Sequence, residues 1–141
     1  MGVQSRASGK TDYGTPKKEY GHYDAMFGFD LDVCATAENA KCDKYFTPED
    51  NALEQTWTGV CWMNPPYGKD LPKWLEKAYK ETRKPRCTVV AFIPASTETK
   101  WWHEWVVGKA DKVIYHKGRV QFDGAEWPAK YANVAVVYRL A

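Results

Sequence analysis

The residues best suited to chemistry stand together at Asn64-Pro65-Pro66-Tyr67. Asn64 offers a side-chain amide oxygen. Pro65 offers a backbone carbonyl on a chain that cannot easily turn away, because each proline fixes its φ near −65° and donates no hydrogen bond. Two acceptors in fixed relation suit a planar –NH2 group, which has two donors. Tyr67 adds a flat ring on which a planar substrate can stack. An amine held this way presents its nitrogen lone pair to an electrophile. The same four residues also read as a rigid strand-to-helix turn with a core tyrosine. Asn64 directly after an apolar strand, with a helix to follow, favours the gripping reading.

Two further features can face a ligand. Thr15-Pro16 reads as a helix start, Thr15 as N-cap and Pro16 at the first helical position. The bland reading is capping alone, but a helix N-terminus also attracts carboxylates. Asp32 stands near the end of an apolar/acidic alternation, Phe29-Asp30-Leu31-Asp32-Val33-Cys34, followed by small residues. An acid there often meets a nucleoside-type cofactor. An exposed edge carboxylate is the equal alternative, and no G-x-G-x-x-G supports a dinucleotide site.

The elements that must position these groups follow from periodicity. Residues 1–11 are polar and read as a disordered leader, and 12–141 as a single domain. A helix runs from Pro16 to about Met26 and ends near Gly28. Strands are expected at 29–34, 44–47, 59–63, 87–93, 112–116 and 132–140, with Val134, Val136 and Tyr138 on one face. Thr47 with Pro48 and Asp50 looks like another cap. Leu71, Trp74, Leu75, Ala78 and Tyr79 form the apolar face of a helix from Asp70 to about Lys84. A second helix, Thr97 to about Val107, carries Trp101, Trp102 and Trp105. Lys117 to Phe122 opens with a turn and then alternates, and 123–131 is a polar loop. Strands alternating with helices imply a mainly parallel sheet covered on both faces. The last two strands, joined by a loop, imply an antiparallel member at one edge.

Composition narrows the partners. A hydrophobic content of 44% and an aromatic content of 15% argue for a packed globule rather than disorder. Seven tryptophans are high for this length, and core filling accounts for most of them. A net charge of +2 gives no global basic field, so a nucleic acid must be held by a local patch. The four cysteines form no C-x-x-C pair, which argues for reduced thiols and against a zinc framework. The three histidines show no ligand spacing, so no metal is expected. There is no signal peptide and no apolar run long enough for a membrane span.

In their order, Tyr13-Gly14-Thr15-Pro16, Phe27 through Ala35, Asn39-Ala40-Lys41-Cys42, Asn64-Pro65-Pro66-Tyr67, Trp74 through Ala78 and Lys117 through Phe122 resemble the phage-type DNA N6-adenine methyltransferases, a Dam-like family. The resemblance covers nearly everything from Asp12 to Tyr138. It implies a class I S-adenosylmethionine-dependent fold, a seven-stranded Rossmann-like sheet with helices on both faces and its last strand antiparallel. It implies that Tyr13, Thr15 and Pro16 hold the methionine end of S-adenosylmethionine, that Asp32 and Ala35 meet the cofactor after the first strand, and that Asn51 lies near its adenine. Where many related methyltransferases carry a glycine-rich turn, this chain has Cys34-Ala35-Thr36.

The implied activity is methyl transfer to adenine N6 in double-stranded DNA, with Asn64, Pro65, Pro66 and Tyr67 as the catalytic loop, by a monomer or homodimer in the cytoplasm, the host's if the chain is phage-encoded. Lys69, Lys117 and Arg119 are candidates for phosphate because they lie near strand ends or turns, and surface solvation fits each equally well. Either loop 123–131 reads bases, or a homodimer does, or specificity is low. Two rivals remain: a methyltransferase acting on another planar amino or amide group, such as an RNA base or protein glutamine, and a non-catalytic DNA-binding domain of the same fold.

Overall fold

A computed structural model describes residues 14–140. The expected leader, 1–11, and Tyr13 lie outside the described residues. The elements in chain order are α1 (Lys17–Phe27), β1 (Leu31–Asp32), β2 (Lys44–Tyr45), β3 (Gly59–Met63), α2 (Leu71–Glu81), β4 (Cys87–Pro94), α3 (Lys100–Trp105), β5 (Lys112–Tyr115) and β6 (Asn133–Tyr138). Two short 3-10 turns, Pro48–Asp50 and Ala52–Glu54, lie between β2 and β3. The Asp50 carboxylate accepts the Thr47 N–H at 2.8 Å, so the cap expected at Thr47 forms.

The six strands order as β2-β1-β3-β4-β6-β5. β1, β2, β3 and β4 pair in parallel, and β6 runs antiparallel to both β4 and β5. The last strand is therefore antiparallel, as expected, but it is not at the edge. It inserts between β4 and β5, and β5 becomes the edge. The reason is legible in burial. All six residues of β6 are buried, and such a strand needs neighbours on both sides, whereas β5 keeps Lys112 and Tyr115 in solvent. Among the described residues the sheet has six strands rather than seven. Val120 and Phe122 are buried and Gln121 exposed, so the alternation at 117–122 is real. No strand forms there; an isolated bridge joins the neighbouring Asp123 to Gly14.

Side chains of alternating strand positions build two cores. Cys61, Met63, Val89, Ala91, Val134, Val136 and Tyr138 meet Leu71, Leu75 and Ala78 of α2 and Trp102 of α3 on one face. Trp62, Val90, Phe92, Ala135 and Val137 meet Tyr23 of α1, with Val120 and Phe122, on the other. Helices thus cover both faces. Trp57, Trp62 and Trp102 are core, and Trp101 and Trp105 pack partly buried against it.

Element ends differ from expectation for local reasons. β1 is shorter than 29–34, although the Asp30 and Val33 N–H groups still bond the Val60 and Trp62 carbonyls of β3; acidic side chains take other backbone N–H groups around it. Asp24 accepts the Phe29 N–H, Asp30 accepts the Val60 N–H at 2.9 Å, and Asp32 turns back onto Cys34. Gly59 makes the Asp30 contact possible: its φ is +78°, and a Cβ there would sit 2.7 Å from Asp30 Oδ2. α2 stops at Glu81, where the Thr82 hydroxyl bonds the Ala78 carbonyl at 2.9 Å. α3 spans only Lys100–Trp105, capped by Thr99 Oγ1 accepting the Trp102 N–H.

β1 has β2 on one side and β3 on the other, so the chain reverses direction across the sheet at β1/β3. Ligands of open α/β sheets bind at such a reversal, outside the carboxyl ends of the strands. Asp32 ends β1 in register with Trp62 of β3, and Asn64 follows two residues later.

Candidate active site

β3 ends at Met63 because the residues after Asn64 are both prolines. Pro65 is buried, while Asn64, Pro66 and Tyr67 are half-buried. Gly68, at φ +114°, then lets the chain swing toward Asp70, the N-cap of α2. The loop is pinned through one hydroxyl. Tyr67 Oη accepts from Asn133 Nδ2 at 3.0 Å, and its proton points between the Phe92 carbonyl, 3.2 Å away, and Asn64 Oδ1, 3.4 Å away. Burial raises the Tyr67 pKa, so the hydroxyl stays protonated and keeps donating. Asn64 thus has its amide oxygen held from β4 and β6 by way of Tyr67. The Tyr67 ring stands edge-on to Phe122, centroids 6.1 Å apart.

Asn64 and Pro66 open onto a hollow of about 330 Å³, within the range of small-ligand sites. Gly14, Thr15, Asp32 and Ala35 also line it. The sequence placed Thr15 as the cap of α1. The structure instead makes Pro16 the N-cap, with extended ψ of 149°, and no side chain caps the helix. Thr15 is 1% exposed and its Oγ1 has no hydrogen-bond partner. An unmatched buried hydroxyl costs about 1–3 kcal/mol. A polar ligand atom in the hollow, beside the positive end of α1, removes that cost. The residues present therefore fit a ligand with a carboxylate at this end.

Asp32 is 3% exposed. Its two oxygens accept the Cys34 N–H at 3.2 Å and the Lys41 N–H at 3.0 Å. Burial pushes its pKa up to about 6, against the pull of those two N–H groups and the Lys41 charge. At neutral pH it is a largely ionised, desolvated carboxylate, which favours a cationic ligand. Ala35 is buried, and its N–H bonds the Phe46 carbonyl at 2.9 Å, which holds the turn against the end of β2. Asn51 sits on the rim at φ +53°, its amide tied to Glu54 at 3.0 Å. The alternative reading of Asp32 as an exposed edge carboxylate does not hold, because the side chain is buried and faces the hollow.

Residues 4–135 match the family described as DNA N-6-adenine-methyltransferase (Dam). The chain belongs to this family. A DNA N-6-adenine-methyltransferase of Haemophilus phage HP1 is 34% identical over 114 residues, 79% of this chain and 65% of the phage protein. One of Escherichia phage T1 is 30% identical over 95 residues, 65% of this chain and 39% of that protein. The chain thus spans less than two thirds of the length of these Dam relatives.

Within this Dam-family chain the structure brings together Thr15, Asp32, Ala35, Asn51, Asn64 and Pro66 around one hollow. Lys69, Lys117 and Arg119 are exposed and do not line it. The segment carrying the last two nevertheless ends against the site, where the Asp123 N–H bonds the Gly14 carbonyl at 2.9 Å. Sequence reasoning missed Asn39, whose Oδ1 accepts the Thr36 N–H at 2.7 Å and braces the turn that has no glycine-rich run. The signal was available: a threonine followed three residues later by a polar side chain has the spacing of a capping box, and the Asn39 N–H returns the bond to Thr36 Oγ1 at 3.3 Å. Trp62 and Trp74 also line the hollow. Apolar spacing marked both as core and gave no sign that they face a ligand. No helix among the described residues is long and apolar enough to cross a membrane.

Proposed function

We propose that this chain transfers a methyl group from S-adenosylmethionine to the exocyclic N6 of adenine in double-stranded DNA, with the base turned out of the duplex onto the Asn64-Pro65-Pro66-Tyr67 loop. One observation carries this reading beyond family membership. A single hollow joins an unpaired buried hydroxyl at Thr15, a buried carboxylate at Asp32 and the amide of Asn64. That arrangement suits a ligand bearing a carboxylate, a positive charge and a reacting group at its far end.

S-adenosylmethionine, when bound, supplies a methyl group activated by a sulfonium. The chain's own residues do the positioning. Thr15 and the N-terminal end of α1 meet the carboxylate of the donor, and Asp32 balances its positive charge. Asn51 and Trp74 lie toward the other end of the hollow. Asn64 Oδ1 and the Pro65 carbonyl accept the two N6 hydrogens. Adenine N6 is a poor nucleophile because its lone pair is delocalised into the ring, and this grip draws the nitrogen toward a tetrahedral shape. Tyr67 supplies the stacking ring, worth about 1–3 kcal/mol against the few kcal/mol that base flipping costs. Correct orientation alone lowers the barrier by about 7–11 kcal/mol. No covalent enzyme intermediate is needed. Lys69, Lys117 and Arg119 meet backbone phosphates, and the protein works in the cytoplasm, the host's if the chain is phage-encoded.

The test is acceptor class. The purified chain is incubated with methyl-labelled donor and duplex DNA, RNA or unrelated protein, and modified nucleosides are identified after digestion. The proposal expects label in DNA as N6-methyladenine. Label in RNA or protein instead, or donor binding with no transfer to DNA, overturns it.

A further inference from the structure

The tryptophans of this chain are core or packed on it, with one clear exception. Trp127 is 74% exposed, and four residues on Tyr131 is 61% exposed. Both lie in the connection between β5 and β6, which emerges at the same carboxyl edge of the sheet as Asn64. Two large exposed rings in one segment, each apolar-bodied with a polar handle, offer a surface that a flat partner can cover.

The ends of the connection are tied to the candidate active site. At one end Phe122 is buried edge-on to Tyr67, and the Asp123 N–H bonds Gly14 on the wall of the hollow. At the other, the Ala132 carbonyl accepts the Ala95 N–H at 2.9 Å, and buried Asn133 bonds the Tyr67 hydroxyl. Inside the connection the Ala129 N–H bonds the Val120 carbonyl at 2.7 Å, and Gln121 Nε2 bonds the Ala125 carbonyl at 2.7 Å. Braced at both ends and across its width, the segment carries Trp127-Pro128 and Lys130-Tyr131 between two points, Phe122 and Asn133, that each touch Tyr67 of the Asn64 loop. Lys130 Nζ lies 5.6 Å from the centre of the Tyr131 ring. Between 117 and 131 three cations, Lys117, Arg119 and Lys130, stand against two carboxylates, Asp123 and Glu126. Exposed rings interleaved with cations, continuous with a base-gripping loop, match the chemistry of unstacked nucleobases and their phosphates.

We infer that Trp127, with Tyr131 in the same segment, is the DNA-engaging element of this protein, its ring stacking on a nucleobase of the duplex opened next to the reacting adenine. The inference rests on the methyl-transfer reading above. It assigns the partner surface that the two oxygens of the Asn64 loop lack, and it places DNA contact on a segment outside the hollow. Trp127 contributes binding to DNA and nothing to the donor.

Equilibrium binding of fluorescently labelled duplex DNA is measured by anisotropy for the full chain, for Trp127→Ala, for Trp127→Phe and for Asn64→Ala. Donor affinity is measured in parallel by calorimetry, and the thermal midpoint serves as the folding control. Loss of one stacked base predicts roughly 5- to 150-fold weaker DNA binding for Trp127→Ala. Trp127→Phe recovers most of that loss, and donor affinity is unchanged in both. DNA binding by Trp127→Ala within twofold of the full chain overturns the inference. So does a change in oligomeric state on that substitution without a change in DNA affinity, which assigns the patch to a second copy. The arms also separate this inference from the function it rests on. If Asn64→Ala still methylates DNA, the catalytic reading fails while the stacking role of Trp127 is read independently from DNA affinity.

Discussion

Tyr67→Phe separates holding the loop from stacking on the base. The substitution keeps the ring and removes one oxygen. That oxygen accepts from Asn133 Nδ2 and donates toward the Phe92 carbonyl and Asn64 Oδ1. Asn133 is 2% exposed, so its amide is left as a buried donor without this acceptor. The expected cost is about 1–3 kcal/mol of stability. The kinetic effect has a different origin. Asn64 loses the contact that holds its amide oxygen, and misplacement by about 1 Å at a reacting centre costs on the order of a hundredfold. Turnover is therefore expected to fall about 10- to 100-fold, while KM for the donor stays near that of the unsubstituted protein, because Thr15 and Asp32 are untouched. Urea unfolding gives the first quantity and initial rates with labelled donor give the second. Adding Asn133→Leu removes both partners and restores much of the stability, because no buried donor is left unmatched, but it does not restore turnover. Unchanged turnover in Tyr67→Phe refutes the claim that this hydroxyl positions Asn64. Recovery of turnover in the double variant refutes it as well.

Asp32 predicts a pH signature. Its folded pKa of about 6 lies above the ordinary carboxylate value, so the folded state binds this proton more tightly than the unfolded state does. Its contribution favours folding below about pH 4, declines as pH rises to about 6, and is constant above that. The decline amounts to about 3 kcal/mol, so urea midpoints measured from pH 4 to 7 should show a fall that Asp32→Asn lacks; parallel profiles contradict the assignment. Thr15→Val replaces an unpaired hydroxyl with a methyl of similar size. Stability should hold or rise by about 1 kcal/mol, while donor affinity measured by calorimetry falls about fivefold or more. Unchanged affinity removes Thr15 from the donor site.

Much of the fold was legible where burial leaves a pattern. The apolar run at β4 and the helical spacing of Leu71, Leu75 and Ala78 each reflect a surface that must leave water, and both elements form where expected. What was not legible depended on partners distant in sequence. Phe29-Asp30-Leu31-Asp32 reads as a longer strand, and only the fold shows that the Asp24, Asp30 and Asp32 carboxylates take backbone N–H groups around it. Arg119 through Phe122 alternates correctly, yet among the described residues no strand pairs with it. Thr15 carries the residue type of a cap, but the extended backbone of Pro16 puts the helix start one residue later and leaves the hydroxyl for another partner.

The candidate site was legible to a similar degree. Asn64 with its two prolines, and an acid closing the first strand, declare themselves by residue type at the ends of apolar runs. Trp62 and Trp74 do not, because a residue that borders the hollow and one that only fills the core have the same apolar spacing. Trp127 was hidden in the opposite sense. A tryptophan-rich composition suggests core filling, and only the fold shows which ring stays in water.

The most direct test of the account is turnover by Asn64→Ala on duplex DNA, alongside donor binding by the same variant. The account predicts unaltered donor affinity and a loss of N6-methyladenine formation of at least about a hundredfold, comparable to removing one preorganised polar group from a reacting centre. Methylation within tenfold of the unsubstituted protein would contradict it, because the adenine amine would then not depend on the oxygen of Asn64.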